Sequence, residues 1–218
     1  MGIRKLHLLG ILHSTLALAS GGQLRELRLG LELQEWVPES LIEETLTSER
    51  KIGALAKLEE VGPQKRYRFV ALMPVAPSVS QTELKVREVS KFVGSLPYVE
   101  RAKYDEAKRT LDIRGGIFSY VLESVLQFEA FRPQEIKFHV IQGHLSGLRG
   151  QVRFHSLKER GTLVALQGEI LGGEYPPAWI MEKGAEIALT VAGKKLRNMI
   201  ESETPLSSDL PTPKKRFF

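Results

Sequence analysis

The longest amphipathic run in the chain, residues 176 to 203, PPAWIMEKGAEIALTVAGKKLRNMIESE, constrains the fold more than any other stretch. Met181, Ala185, Ala188, Ala192, Leu196 and Met199 recur every three or four residues, while Glu182, Glu186, Thr190, Lys194 and Glu201 follow the opposite face. That period belongs to a helix with one dry side and one wet side. Pro176 and Pro177 suit an N-terminus, where a missing N–H costs nothing, and Thr204-Pro205 supplies a stop. Lys194, Lys195 and Arg197 lie toward the C-terminal end, where cations meet the helix dipole favourably. The apolar side is built from small residues, with Gly184 beside Ala185 and Ala188. Whatever this helix covers must therefore approach closely or leave a space.

The preceding sequence reads as strands that need such a cover. IGALAKLEEV and RYRFVALMPV flank Gly62-Pro63 as strand, turn and strand, and the second alternates Tyr67, Phe69, Ala71 and Met73 against Arg66, Arg68 and Val70. SVSQTELKVREVSKFVGSLP opens on a serine cap and spaces Val79, Leu84, Val86, Val89, Phe92 and Val93 helically, breaking at Gly94. A meander follows: VERAKYDE, RTLDIRG, one long strand GIFSYVLESVLQFEAF, a turn at Arg132-Pro133, EIKFHVIQG, a glycine-rich link GHLSGLRG, QVRFHSLK, a turn at Glu159-Arg160-Gly161, and TLVALQGEIL. Phe118, Tyr120, Leu122, Leu126 and Phe128 share one parity. Ile136, Phe138 and Val140, then Val152 and Phe154, then Val164 and Leu166, continue that face. The expected class is α+β, a strongly curved antiparallel β-sheet wrapped around a long C-terminal α-helix.

The ends of the chain carry separate readings. Residues 24 to 50 are open in their first half: Leu27, Leu29, Leu31 and Leu33 alternate as in a strand, yet Arg, Glu and Leu are good helix formers. Pro38-Glu39-Ser40 before LIEETL marks one short helix. Arg4 and Lys5, the apolar LHLLGILHSTL and the small-x-small Ala17-Leu18-Ala19 before Ser20 read as an export signal over residues 1–19, which places the mature chain in the periplasm. His7, His13, Ser14 and Thr15 interrupt that apolar region, and the alternative is a short buried helix opening a cytoplasmic protein. No later stretch approaches the ~18 apolar residues of a membrane span. Residues 20–50 form an N-terminal extension, 51–203 the main domain, and 204–218, TPLSSDLPTPKKRFF, a disordered tail. With 218 residues and 42% hydrophobic content, one domain can bury a real core.

Composition and spacing exclude several chemistries. The absence of cysteine rules out disulfides, thiolate zinc sites and a cysteine nucleophile. The formal charge of +5 is spread along the chain and does not single out nucleic acid as a partner. Of five histidines, His7 and His13 fall in the leader; His139 and His155 have strand parity opposite to the aromatic face, leaving His144 in its glycine-rich loop as a general-base candidate. No metal-ligand spacing appears, Ser119, Ser124, Ser146 and Ser156 lack a G-x-S-x-G context, and the glycines of GHLSGLRG are spaced unlike a phosphate loop. No catalytic residue, metal or cofactor is assigned.

Three stretches carry a family resemblance: VAPSVSQTELKVREVSKFVGSLPYVERAKY, GHLSGLRGQVRFHSLKERGTLVALQGEI, and the closing helix. Together with the order of elements they resemble the START-like helix-grip superfamily, in particular its polyketide-cyclase and coenzyme-Q-binding branch, over roughly residues 66 to 203. The resemblance implies a deep cavity between the curved sheet and the C-terminal helix, which members use to hold lipids, quinones, sterols or aromatic polyketides. Some members catalyse cyclisation and many are carriers. The expected function is thus binding or transport of a hydrophobic small molecule. Gly184, Ala185, Ala188 and Ala192 would face Phe118, Tyr120, Phe138 and Phe154, with Leu122 and Val140 in the lining and Tyr98, Trp179 and Met181 at the mouth. Arg114, before Gly115-Gly116, would reach a ligand head group as a fixed cation. A gap between the two faces makes the chain a binder. If the aromatics interdigitate with the small residues to normal packing density, the chain is a protein- or RNA-interaction module with a filled core. A cyclase or hydrolase would add a polar pair to the same cavity. The basic end, KKRFF, offers transient contact with an anionic membrane surface.

Overall fold

The protein is described by a computed structural model over residues 21–48, 51–88, 92–117, 120–173 and 175–202. The expected export signal and the expected disordered tail lie outside these residues. Two N-terminal helices, α1 (Gly21–Gly30) and α2 (Glu39–Thr47), precede a hairpin of β1 (Gly53–Val61) and β2 (Gln64–Val75). Helix α3 (Val79–Val86) leads to β3 (Val99–Asp105), β4 (Thr110–Ile117), β5 (Tyr120–Phe128), β6 (Glu135–Gly143), β7 (Arg149–Ser156) and β8 (Thr162–Leu171). A π-helical segment (Ile180–Gly184) runs directly into α4 (Ala185–Ser202). The eight strands form one antiparallel sheet in the order β1-β2-β8-β7-β6-β5-β4-β3. The chain crosses from β2 to the far edge through α3 and meanders back until β8 pairs with β2. The sheet stays unclosed, with β1 and β3 at its edges, and α4 lies over its concave side.

Local sequence explains most boundaries. Ser78 caps α3: its hydroxyl accepts from the Gln81 N–H, and the Gln81 side chain accepts from the Ser78 N–H at 3.1 Å, a reciprocal capping box. The alternation in RYRFVALMPV is that of a strand buried on both faces, since Tyr67 and Met73 face one core and Val70 and Leu72 another. The ambiguous leucine-rich segment resolves as helix. Leu24, Leu27 and Leu31 bury at i, i+3 and i+7, whereas Leu29, which a strand would have buried with Leu27 and Leu31, is 69% exposed.

Two expectations need correction. The run GIFSYVLESVLQFEAF is not one strand: Gly116 and Ile117 close β4, Tyr120 opens β5, and Ile117 pairs with Tyr120 across a two-residue gap. The apolar pattern continues through this hairpin without a glycine or proline between the strands, so no local punctuation marks the split. The closing helix also does not begin as a regular α-helix. Its first turns widen into the π segment, which buries Ile180, Met181 and Gly184 together.

The sheet separates three apolar clusters. On its convex side, Leu24, Leu27, Leu31, Leu33, Val37 and Ile42 of the N-terminal extension pack on Val70, Leu72, Leu163 and Ala165 of β2 and β8. On the concave side, one cluster gathers Phe128, Ile136 and Phe154 with Ile200 near the C-terminal end of α4. The other gathers Tyr67, Val140, Leu148 and Ile170 with Met181 near its beginning.

Candidate ligand-binding site

Helix α4 is fastened to one side of the sheet. A methyl group on Gly193 would come within 2.9 Å of Ile52 Cγ2, so the helix backbone lies close over the start of β1. Glu182 Oε1 accepts from the Leu58 N–H at 3.0 Å, and the buried Arg197 donates to the carbonyls of Pro74 at 3.0 Å and Lys51 at 3.1 Å. These contacts hold the helix on β1 and β2. At its two ends the helix also meets residues of β5 to β7, through Ile200 beside Phe128, Ile136 and Phe154 and through Met181 and Ala185 in the cluster of Val140 and Phe138.

The stripe Met181, Ala185, Ala188, Ala192, Leu196 shows what that placement leaves open. Met181 and Ala185 join the cluster at the helix start and Leu196 the cluster near its end, but Ala188 and Ala192 belong to neither and stay half-buried. Across from them Ile113, Leu122, Leu126, Phe138 and Val152 share the concave parity and are likewise only half-buried. Phe138 and Leu126 touch both clusters, marking the midpoint between them. These partly buried apolar side chains form the stretch of the concave face that lies between the two packed ends.

The polar groups on this face are few. Between the strand ends, the described concave face carries no charged side chain. Tyr98 reaches from the β3 side to α4 and donates its hydroxyl to the Ala188 carbonyl; burial pushes its pKa up to about 12. Tyr67 lies under the π segment, where burial, and then the nearby Glu182 and Glu186 carboxylates, hold its hydroxyl above the ordinary range. Both hydroxyls are protonated at neutral pH and can donate.

The floor depends on two glycines. Gly150 and Gly168 pair across β7 and β8, and the rings of Phe138 and Phe69 from the flanking strands lie over them. A methyl on Gly168 would stand 2.6 Å from Phe69 Cζ, and one on Gly150 would collide with Phe138 Cζ. Phe69, Tyr67 and the two glycines were absent from the site read from sequence. Cross-strand register would have found them, because each glycine sits opposite a phenylalanine.

The residues expected at the site distribute as follows. Phe138, Leu122, Ala188 and Tyr98 are partly buried between the two concave clusters, while Val140, Phe154, Met181 and Gly184 are buried in or beside those clusters. Tyr120 is partly exposed at the start of β5, and Trp179 is 53% exposed before the π segment. Arg114 has the opposite parity to Ile113 and is bound by Glu100 at 3.0 Å and by Glu123, so it faces away from the concavity. Phe118 lies outside the described residues. His144 sits in the β6–β7 turn, where its Nδ1 accepts from the Glu123 N–H at 3.0 Å.

No family model and no curated protein matches this chain. Solved structures do. The protein TTHA0849 from Thermus thermophilus superposes with a TM-score of 0.51 at 13% identity, covering 64% of this chain and 98% of its own. A conserved protein from Geobacillus kaustophilus gives 0.51 at 11% identity, covering 62% and 95%. A START superfamily protein from Mycobacterium smegmatis scores 0.49 at 18% identity, covering 63% and 99%. The fold is a helix-grip, an unclosed antiparallel sheet with a long C-terminal helix over it, and roughly a third of this chain lies outside the aligned part.

Proposed function

We propose that this helix-grip chain binds and carries a neutral, hydrophobic small molecule in the space between α4 and the concave face of the sheet. The observation that carries this reading is the interrupted core. Ala188 and Ala192 stand between two packed clusters without joining either, opposite apolar side chains that are themselves only half-buried. Filling such a space with an apolar ligand removes both surfaces from water, at about 25 cal/mol per Å². The sheet's concave face, which carries no charge between the strand ends among the described residues, favours a neutral ligand. Tyr67 offers a hydrogen-bond donor, which suits a lipid, quinone or polyketide-like compound carrying a carbonyl or ether oxygen, while the Tyr98 hydroxyl is already donated to the helix. A hydrolase or cyclase needs an acid–base pair in contact with the ligand, and the described concave residues favour binding over that chemistry.

The test is uptake of Nile red, a neutral apolar dye, by wild-type protein and by Ala188→Trp. The wild type is expected to take up the dye at one molecule per chain, and Ala188→Trp to lose uptake while keeping its circular dichroism spectrum. Undiminished uptake by a folded Ala188→Trp would place the ligand elsewhere and overturn the reading.

A further inference from the structure

The convex side of the sheet holds a second, chemically different cleft, of about 590 Å³, roofed by Glu32 and Gln34 of the α1–α2 connection. Its floor is two cross-strand rows on β6, β7 and β8. One row is His139, Arg149 and Glu169, and the next is Lys137, Gln151 and Gln167. A further cavity of about 500 Å³ continues past Gln34, Arg149 and Glu169 toward the exposed Leu171.

Three features distinguish this floor from an ordinary solvated sheet face. Gln167 is only 6% exposed, and its Nε2 donates to the Glu32 carbonyl at 2.8 Å and the Leu31 carbonyl at 3.4 Å. Two carbonyls fix the amide orientation, because the flipped amide would set oxygen against oxygen. Its Oε1 is consequently a buried acceptor without a hydrogen bond, a state that native proteins rarely tolerate without a purpose. Second, Arg149 and Glu169 stand opposite each other on β7 and β8, yet they form no ion pair among the described residues. Third, the adjacent charges are matched: Arg153 is held by Glu32 and by Glu135 at 2.8 Å, and Lys137 by Glu135 at 3.2 Å. The unmatched cation lies on β7, and the unmatched acceptors, Glu169 and Gln167, lie on β8.

We propose that this cleft binds a small zwitterion, a free α-amino acid, lying across β7 and β8. The ligand carboxylate meets the Arg149 guanidinium, whose planar fork matches it in a bidentate pair. The ligand ammonium meets the exposed Glu169 carboxylate, with the buried Gln167 amide beneath it. Both charges of the ligand are thereby balanced, and the side chain extends into the second cavity. Arg149, Gln167 and Glu169 have strand parity opposite to the concave residues, so the site stands or falls independently of the proposed apolar ligand.

Calorimetric titration of the full chain with L-leucine and glycine tests the assignment, with acetate, methylammonium and glucose as partial and neutral mimics. Both amino acids are expected to bind, each half-ligand about tenfold more weakly or worse, and glucose not at all. Arg149→Met and Glu169→Gln, at exposed positions, are expected to weaken amino-acid binding about tenfold each while leaving Nile red uptake unchanged. Absence of binding by both amino acids at about 10 mM, on the order of the weakest affinity that such charge-assisted contacts give, would overturn the proposal. So would acetate or glucose binding as tightly as the amino acids, which would make the cleft a plain anion or polyol site.

Discussion

Tyr98 joins the two halves of the concave site through a single hydroxyl, donated to the Ala188 carbonyl. Replacing it with phenylalanine leaves the ring in place and removes one of the hydrogen bonds to that carbonyl, at a cost of about 1 kcal/mol at neutral pH. Its titration gives a second readout. Burial raises the hydroxyl from its ordinary 10.0 to about 12. The unfolded chain therefore releases the proton at lower pH than the folded chain, and stability from this group is present below pH 10.0 and is lost as pH rises to about 12. Urea unfolding at about pH 7, 10 and 12 should show wild type losing stability over the upper interval more steeply than Tyr98→Phe, in proportion to one group's linkage. Identical slopes would mean that the hydroxyl is not buried against the helix.

At the scale of elements, the N-terminal extension is part of the structure rather than a leader to it. Leu31 is fully buried where α1 meets the convex sheet, among Val70, Leu72, Leu163 and Ala165. Leu31→Ala should cost about 2–5 kcal/mol, the range for a large-to-small change in a core that cannot collapse around the cavity. Chemical denaturation should record it as a lower midpoint with an unchanged slope. A loss below about 0.5 kcal/mol, the usual range for a surface change, would mean that α1 does not rest on the sheet in solution. The extension also shapes the convex cleft, since the Glu32 carbonyl orients Gln167.

For the whole molecule, β2 and β8 are covered on both faces, by the extension on one side and by the concave core on the other. A chain beginning at residue 51 would uncover Val70, Leu72, Leu163 and Ala165 as one apolar patch. Such patches drive association. The shortened chain is expected to aggregate or elute as an oligomer in size-exclusion chromatography, at concentrations where the full chain is monodisperse. A monodisperse shortened chain that retains Nile red uptake would show that the helix-grip unit is stable without its convex cover.

How much of this was legible before the fold is clearest in particular stretches. The period of two in RYRFVALMPV, EIKFHVIQG and TLVALQGEIL, the Ser78 cap and the small-residue stripe of the last helix are local properties. They marked the strands, the start of α3 and the dry face of α4, and the antiparallel α+β class followed from their order. The hairpin at Ile117 and Tyr120 was not legible, because alternation runs straight through it. Nor was the helical state of LRELRLGLEL, which satisfies either period until burial shows Leu29 outside and Leu31 inside. Site assignment failed where it depended on neighbours: parity alone puts Arg114 on one of two faces, and only its register against Glu123 shows that both are outside. By itself the sequence determined which elements form and which face of each is apolar, because periodicity is read within a few residues. The tertiary structure alone decided that α4 rests on β1 and β2 and sets Ala188 and Ala192 between the two concave clusters. An apolar stripe specifies that it must be covered, and many surfaces satisfy that demand equally; the choice among them is made by residues distant in the chain, Ile52, Leu58 and Pro74, that meet the helix only once the sheet has curved.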